Sequence, residues 1–502
     1  MYDLIIKNAT IYDGTGKEGF VSDIGIRDGK ITAIAENLSG CEIIDATGLA
    51  VSPGWIDAHS HSDSAILSYP DQKEKIEQGI TFSVTGQCGG SATPSRKDGE
   101  LITVKDFMEK ASATPQGSGS VLLVGHGTLR RAVMGTVNRH ATPEEQQQME
   151  DLLREAMENG ARGMSLGLIY APGCYAQLDE LIPLAKIVAS YNGVIASHIR
   201  NEGDMLEESL AEFLELLRLS GARGVISHHK AAGKKNWGKV HKTMATIDEC
   251  NRNGMDVYMD VYPYCASHTS LIATFFPAKF RPEGVSDMRA VLRDPAVREK
   301  LKAWGRERWG DDMSWVMITN CSAWPEYRGK RVSEIAELRG QDPYEAIYDM
   351  ICEGEYATAC FFSINPDDVS SVIQHSRSMI CTDSGVAGVR TIFHPRLRGS
   401  FPRALRVYVR EEKAVTLPEM IRKMTALPAH VYGLEGKGQI AEGFDADLCI
   451  FDPETIGEKS DYAHCTDPNE GLAYVIIDGK IVVKDNTYLG IRAAKVLSDP
   501  IS

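Results

Sequence analysis

Two histidines one residue apart, His59 and His61, are the first side chains of this chain that could bind a metal ion. They end a short apolar stretch that predicts a β-strand, and alternate residues of a strand project from the same face. Both imidazoles can therefore reach one cation, and Asp57 shares their face. Solvated histidines at a strand end would look the same, so this spacing is weak evidence by itself.

Further metal-binding side chains stand at the ends of four other predicted strands. They are His198 after Gly-Val-Ile-Ala-Ser, His228 after Gly-Val-Ile-Ser, Cys88 in Thr-Gly-Gln-Cys-Gly, and Asp383 in Cys-Thr-Asp-Ser-Gly. Imidazole and thiolate suit Zn²⁺, and a carboxylate can complete or bridge such a site. Each residue alone is more often structural. Their coincidence with the histidine pair at the ends of five strands predicts a metal site.

Other histidines are weaker candidates for ligands. His229 follows His228 directly and so points to the opposite side of its strand. His126 ends another predicted strand, where support of the site is favoured over ligation. The remaining histidines fall in predicted helices, loops or the tail.

Eight predicted strands position these side chains, and helical patterns separate most of them. The strands span residues 55–59, 80–87, 121–125, 163–168, 194–197, 224–227, 256–262 and 378–382. The clearest helix begins after Thr142, with Pro143 at its first position and Glu145 completing a capping box. Strands that alternate with helices predict an α/β fold. We expect a metal-dependent (β/α)8 TIM barrel, whose functional residues lie at the carboxyl ends of the strands.

The two ends of the chain and one internal stretch depart from this barrel pattern. Residues 1–53 and 431–502 contain short strands and turns such as Asp28-Gly29. Because chain termini often lie close together, these segments predict one discontinuous β-sandwich domain. Residues 54–430 form the predicted catalytic barrel. The connection between its last two strands is too long for one crossover, which predicts an inserted helical subdomain at about 284–345.

The composition favours a globular protein of the cytoplasm. A chain of 502 residues is long enough for one large core and an accessory domain, and its net charge of −15 argues against binding to nucleic acid. Eleven cysteines without paired spacing predict reduced thiols. No secretory signal and no apolar run of about 18 residues is visible, so neither secretion nor membrane binding is expected.

The motifs resemble those of the N-acyl-D-amino-acid deacylases (D-aminoacylases) of the amidohydrolase superfamily, over nearly the whole chain. Features found across the superfamily are Pro-Gly-Trp-Ile-Asp-Ala-His-Ser-His at 53–61 and Gly-Phe-Asp-Ala-Asp-Leu at 443–448. Features more specific to the deacylase branch are Gln-Cys-Gly at 87–89, Ser-His-Ile-Arg-Asn-Glu at 197–202, Ser-His-His-Lys at 227–230, Tyr-Pro-Tyr at 262–264 and His-Pro-Arg at 394–396.

This resemblance implies a zinc-dependent hydrolase that cleaves the amide bond of N-acyl-D-amino acids, which are small-molecule substrates. It implies that one zinc ion is held tightly by Cys88, His198 and His228. It also implies a second position, weakly or partly filled, formed by His59, His61 and Asp383. Zinc lowers the pKa of its bound water toward about 7 and so supplies hydroxide for the attack. Asp383 would act as general base and acid, moving the water's proton to the departing nitrogen.

The resemblance also implies which residues bind the substrate. They are Lys230, Tyr262 and Arg396, on the α-carboxylate, and Tyr170. A guanidinium offers a planar fork that suits a carboxylate, whereas a lysine offers a point charge. The stretch between Asp383 and His394 is slightly longer than in the family.

The segment after the seventh strand is expected to form the pocket for the substrate's side chain. Phe275 and Phe276 favour an apolar side chain, whereas Lys279 or Arg281 would select an acidic one. The sequence permits both preferences and weakly favours an apolar side chain.

Several alternatives to this function remain. A cyclic-amide hydrolase, such as a hydantoinase or dihydroorotase relative, typically bridges two metals with a carboxylated lysine late in the fourth strand. That strand, residues 163–168, contains no lysine, and Cys88 takes the bridging position instead. A D-peptidase or N-carbamoyl hydrolase would use the same site and is harder to separate. An inactive metal-binding homologue is disfavoured, because Asp383 is present together with every proposed ligand.

Overall fold

The computed structural model describes residues 1–354, 356–387 and 393–500. Parallel strands form its centre, and almost all of their residues are buried. They follow the eight predicted strands, of which the third is divided in two: Trp55–Asp57, Ile80–Thr85, Gly119–Leu122, Val124–Gly125, Gly163–Gly167, Val194–His198, Arg223–Ile226, Val257–Val261 and Ser378–Ile380. Parallel strands covered on both faces need apolar residues throughout. This explains the continuous apolar runs in their sequences.

Hydrogen bonds join these strands into two parallel sheets. The first has three strands, Gly119–Leu122, Ile80–Thr85 and Trp55–Asp57, and the other six strands form the second in chain order. Contacts that connect the sheets include a hydrogen bond of 2.9 Å from Asp383 N to His59 O and a parallel bridge between Ser60 and Ser384. At the other edge, Leu123 links a strand of the first sheet directly to a strand of the second, and its N donates to Thr85 O at 2.9 Å. The carboxyl ends of all these strands therefore lie on one side of the fold.

Amphipathic helices connect the parallel strands. The longer ones are Val104–Ser112, His126–Met134, Pro143–Glu158, Leu178–Ser190, Leu206–Ser220, Lys239–Arg252, Pro366–Gln374 and Leu417–Met424. Lys73–Ile76 is a single turn. Beyond the last parallel strand, the chain also forms the helix Arg396–Arg403, which continues as a π-helix over Ala404–Glu411, and the helix Ala426–Val431. The predicted helix after Thr142 begins at Pro143, and its capping box with Glu145 is present. The polar capping residues thus fix the residue at which a helix begins, which the spacing of apolar residues alone does not specify.

The two ends of the chain pair in one mixed sheet of nine strands. Its strands are Tyr2–Ile11, Phe20–Arg27, Lys30–Ala35, Gly40–Asp45, Ala50–Pro53, Leu448–Phe451, Leu472–Ile477, Lys480–Lys484 and Thr487–Tyr488. The two ends meet where Ala50–Pro53 pairs antiparallel with Leu448–Phe451. Asp28 and Gly29 have φ of 51° and 72°, the left-handed backbone that a two-residue hairpin turn requires.

A second hydrophobic core lies in the long connection before the last parallel strand. Its antiparallel sheet has the strands Ser267–Ser270, Thr358–Phe361 and Val316–Asn320, and its helices are Leu271–Phe275, Met288–Leu292, Pro295–Trp309, Val332–Arg339 and Pro343–Glu353. The predicted subdomain at 284–345 lies within this unit, which adds strands to the expected helices. Phe275 and Phe276 are fully buried in this core. The apolar preference inferred from these two side chains therefore loses its basis.

Within the described parts of the chain, no helix combines the length and the apolar character that a membrane crossing needs. None of the eleven cysteines, all of which lie in the described part of the chain, forms a disulfide.

Candidate metal centre

Cys88 is the point at which the predicted metal ligands converge. Its Sγ lies 3.3 Å from His59 Nε2, 3.3 Å from His228 Nε2 and 3.7 Å from His198 Nδ1. Ligand atoms held tetrahedrally at the usual zinc–nitrogen and zinc–sulfur distances lie about 3.5 Å apart. The observed separations are therefore those of atoms that can share one ion. Cys88 reaches this point from a tight turn after Ile80–Thr85, where its own φ is 54°.

Asp383 and His61 stand beside this group. Asp383 Oδ1 lies 3.0 Å from His61 Nε2 and 3.5 Å from His59 Nε2. Among the residues that the structure describes, two sets of ligand atoms lie close enough together to hold a cation: His59, Cys88, His228 and Asp383, and also His198, Glu202 and His228. The fold thus brings together all six residues predicted to bind metal, from the ends of five parallel strands.

The charges around the cluster suit a cation. Burial, reinforced by the Asp383 and Glu202 carboxylates, raises the pKa of the Cys88 thiol well above its ordinary value. A buried thiolate of this kind needs the positive charge of a metal ion. Burial lowers the pKa of His198 to about 3. Its imidazole is therefore neutral at pH 7, which is the form that binds a metal.

Asp383 remains ionised although it is buried. Burial opposes its ionisation, but the Arg396 guanidinium and the neighbouring imidazoles outweigh that effect and hold the pKa of Asp383 well below its ordinary value. Arg396 donates a hydrogen bond of 2.7 Å to Asp383 Oδ2. Asp383 is consequently a carboxylate that can accept a proton.

Two carboxylates that the sequence reasoning missed hold the imidazoles in place. Asp260 Oδ1 lies 3.3 Å from His59 Nδ1 and accepts a hydrogen bond of 2.7 Å from His228 N. Glu202 Oε1 lies 2.9 Å from His228 Nδ1, and its Oε2 lies 3.5 Å from His198 Nε2. A carboxylate that accepts a hydrogen bond from the N–H of one ring nitrogen leaves the other nitrogen free for a metal. The available signals were Glu202 four residues after His198, and Asp260 as a charge inside an apolar strand.

The predicted substrate-binding residues line the same cavity as the cluster; they are Tyr170, Lys230, Tyr262 and Arg396. Lys230 Nζ donates to Glu202 Oε1 at 2.6 Å. The Arg396 guanidinium lies 5.0 Å from the centre of the Tyr262 ring. The Tyr262 hydroxyl is buried and has no hydrogen-bond partner within the described chain, so it is available to a bound molecule. The Tyr170 hydroxyl is already paired with Thr269 Oγ1 at 2.9 Å.

Several other residues considered in the sequence have structural partners. His126 Nε2 lies 2.7 Å from Glu180, and His229 Nε2 lies 2.9 Å from Thr243 Oγ1. Lys279 and Arg281 line the cavity, whereas the three phenylalanines of that segment, Phe275, Phe276 and Phe280, do not. Part of the longer stretch before His394, residues 388–392, lies outside the described residues.

Comparison with known proteins shows the family of this chain. A family model described as the amidohydrolase family matches residues 42–483. The chain is 32% identical to a D-aminoacylase of Alcaligenes xylosoxydans xylosoxydans, over 99% of this chain and 98% of that protein. It is 34% identical to an N-acyl-D-glutamate deacylase of the same organism, over 95% of this chain and 93% of that protein.

A solved structure gives the same result. The crystal structure of N-acyl-D-glutamate deacylase from Bordetella bronchiseptica, complexed with zinc and a phosphonate inhibitor that mimics the tetrahedral intermediate, has a TM-score of 0.87 and 34% identity to this chain. The match covers 99% of both chains. Family model, sequence and fold agree over almost the full length. This chain therefore belongs to the amidohydrolase family, in its N-acyl-D-amino-acid deacylase branch.

Proposed function

We propose that this protein is a zinc-dependent amidohydrolase that converts N-acyl-D-amino acids to a D-amino acid and a carboxylate. The observation that carries the proposal is the Cys88 thiol within 3.3–3.7 Å of three imidazoles, beside the ionised Asp383 carboxylate. The cavity around them also presents Lys230 and Arg396, two cations suited to the carboxylate of an amino acid. The activities of the similar deacylases support the same reaction.

The donor set fits zinc. A thiolate and neutral imidazoles are typical zinc ligands, and their separations suit a shared ion. We infer that one ion is held tightly by Cys88, His198 and His228. A second, weakly or partly filled position is formed by His59, His61 and Asp383, with Cys88 between the two. Bound zinc lowers the pKa of water and polarises the amide carbonyl.

The chain's own residues move the proton. Asp383, kept ionised by Arg396, accepts the proton of the attacking water and delivers it to the nitrogen that leaves. An amide nitrogen leaves poorly unless it is protonated. Asp260 and Glu202 hold three imidazoles in orientation throughout these steps. Tyr262 offers its unpaired hydroxyl to the bound substrate.

We also propose the architecture that supports this site. The two parallel sheets are arcs of one (β/α)8 barrel over residues 54–430, a view that the Ser60–Ser384 bridge and the Leu123–Thr85 hydrogen bond support. Residues 1–53 and 431–502 form one discontinuous β domain, in which the single nine-stranded sheet folds over its own hydrophobic core as the predicted β-sandwich. Residues 284–345 belong to the inserted subdomain. The cytoplasmic location stays a prediction.

The function is tested with a panel of N-acetyl-D- and N-acetyl-L-amino acids on protein of known zinc content. We expect release of acetate from the D series, loss of this activity with a strong chelator, and its return with added zinc. Hydantoins, D-dipeptides and N-carbamoyl-D-amino acids belong in the same panel. Faster turnover of one of these would favour that alternative function. Zinc binding without turnover of any compound would contradict the proposed enzyme.

Substitution of Arg396 tests carboxylate recognition. Arg396→Ala should raise KM for an N-acetyl-D-amino acid about 10–100-fold, because a charged hydrogen bond contributes about 1.5–3 kcal/mol. The KM for the corresponding methyl ester should change far less. Because Arg396 also contacts Asp383, kcat should fall for both substrates. Arg131→Ala, which removes another cavity-lining arginine, is the control. Equal changes in KM for acid and ester would count against carboxylate recognition.

A further inference from the structure

A fully buried ion pair adjoins the cluster but contributes no metal ligand to it. Lys75 lies in the helix Lys73–Ile76, and its Nζ lies 2.7 Å from Asp57 Oδ2. Both side chains are 0% exposed. Lys75 Nζ also donates to Thr382 Oγ1 at 2.7 Å and to Ser384 O at 2.9 Å. An ammonium group has three protons to donate. All three therefore have acceptors, two of them at the end of the last parallel strand.

Asp57 connects the same two chain segments. Its Oδ1 accepts hydrogen bonds from Thr382 N at 2.8 Å and from His59 N at 3.3 Å. Its Oδ2 accepts a third from Thr382 Oγ1 at 2.7 Å, in addition to that from Lys75. The pair therefore joins the end of the first parallel strand to the end of the last.

The residues that this pair holds are the neighbours of the proposed metal ligands. Thr382 and Ser384 stand on either side of Asp383, whose φ of 47° lies in the left-handed region that residues with a side chain rarely adopt. Asp383 N donates to His59 O at 2.9 Å, and His61 N donates to Ser384 O at 3.1 Å. The backbone on both sides of Asp383 is thus fixed to the segment that carries the two histidines.

We propose that Lys75 and Asp57 are positioning residues that set the geometry of the second metal position formed by His59, His61 and Asp383. They act through the backbone and through Thr382. The inference rests on the proposed function for the identity of those ligands. Burying an ion pair costs desolvation and often adds no net stability, so its value lies in the arrangement it imposes. Metal and catalytic groups need their positions held within about 0.5 Å.

The Thr382 hydroxyl offers the mildest test, since it is the link that Lys75 and Asp57 share. Thr382→Val keeps the shape of the side chain and removes the hydroxyl, whereas Thr382→Ser keeps the hydroxyl. The valine variant should bind its second zinc ion about 10–100-fold more weakly, the range seen when a group that orients a metal ligand is removed. Its kcat should fall, because the backbone on both sides of Asp383 loses part of its support. Its KM should change less than about threefold, because the substrate contacts remain. The serine variant should stay close to the wild type in both measurements.

A matched pair of lysine variants separates positioning from stability. Lys423 is also 0% exposed and donates to the carbonyl oxygens of His375 and Ser378, at the other end of the last parallel strand. Lys75→Met and Lys423→Met should both lower Tm, because each leaves buried acceptors unpaired. Only Lys75→Met should weaken the binding of the second zinc ion.

Metal binding is measured by equilibrium dialysis against zinc alone, and by the absorption of the cobalt-substituted protein. A folded Thr382→Val variant with the zinc affinities and kcat of Thr382→Ser would overturn the proposal. A wild-type chain that binds no second zinc ion would also overturn the proposal. If Lys75→Met does not fold, the comparison of Thr382→Val with Thr382→Ser still tests the proposal. A wild-type protein without deacylase activity would contradict the proposed function but leave the comparison of metal affinities intact.

Discussion

Asp383→Asn should lower kcat at least about a hundredfold, within the range typical for lost acid–base catalysis, while the tightly bound zinc ion remains. Asparagine has nearly the same shape as aspartate, but its neutral amide cannot accept a proton at neutral pH. The attacking water would keep its proton, and the leaving nitrogen would receive none. Steady-state kinetics on an N-acetyl-D-amino acid and zinc analysis of the same preparation measure both effects.

The control for this variant is Asp368→Asn. Asp368 is also buried, lies on the helix that follows the strand Thr358–Phe361, and accepts hydrogen bonds from Gly238 N. It should lose stability with kcat close to that of the wild type. A kcat near the wild-type value in Asp383→Asn would remove Asp383 from the mechanism. Loss of all zinc in that variant would instead make Asp383 a ligand of the tight position.

Cys88→Ala should deplete the protein of zinc. The Sγ atom is the one that lies within 3.7 Å of His59, His198 and His228 together, so its removal takes away the central donor. The loss of affinity should exceed the roughly 10–100-fold caused by removing a group that only orients a ligand. Zinc per chain after dialysis, with kcat on the same sample, is the measurement.

A buried cysteine outside the site provides the comparison for this variant. Cys449 is fully buried in the strand Leu448–Phe451, and its thiol contacts Gly79 O. Cys449→Ala removes the same atom and should lower Tm while the zinc content stays unchanged. If Cys88→Ala also kept the wild-type zinc stoichiometry, its role as a ligand would be refuted.

The protein's preference for the side chain of its substrate is a property that the sequence pattern did not predict. The segment Thr274–Arg281 was predicted to present phenylalanines to the substrate, because an apolar residue near a site looks like a pocket wall. In the fold, Phe275 and Phe276 are fully buried in the second core, and Lys279 and Arg281 line the cavity. Hydrophobic side chains pack wherever they remove most area from water. That place depends on the helices and strands of the whole inserted unit.

By itself, the sequence determined the parallel strands and the residues that end them. Apolar runs of strand length and their alternation are local, and parallel strands joined by helices must present their carboxyl ends together. Cys88, His198 and Asp383 could therefore be named before any distance was known. The tertiary structure alone decided which groups support them. Lys75 meets Ser384 across 309 residues of chain, and Asp260 meets His59 across 201. No local pattern specifies such contacts, because they arise only when buried charges must find partners in the packed fold.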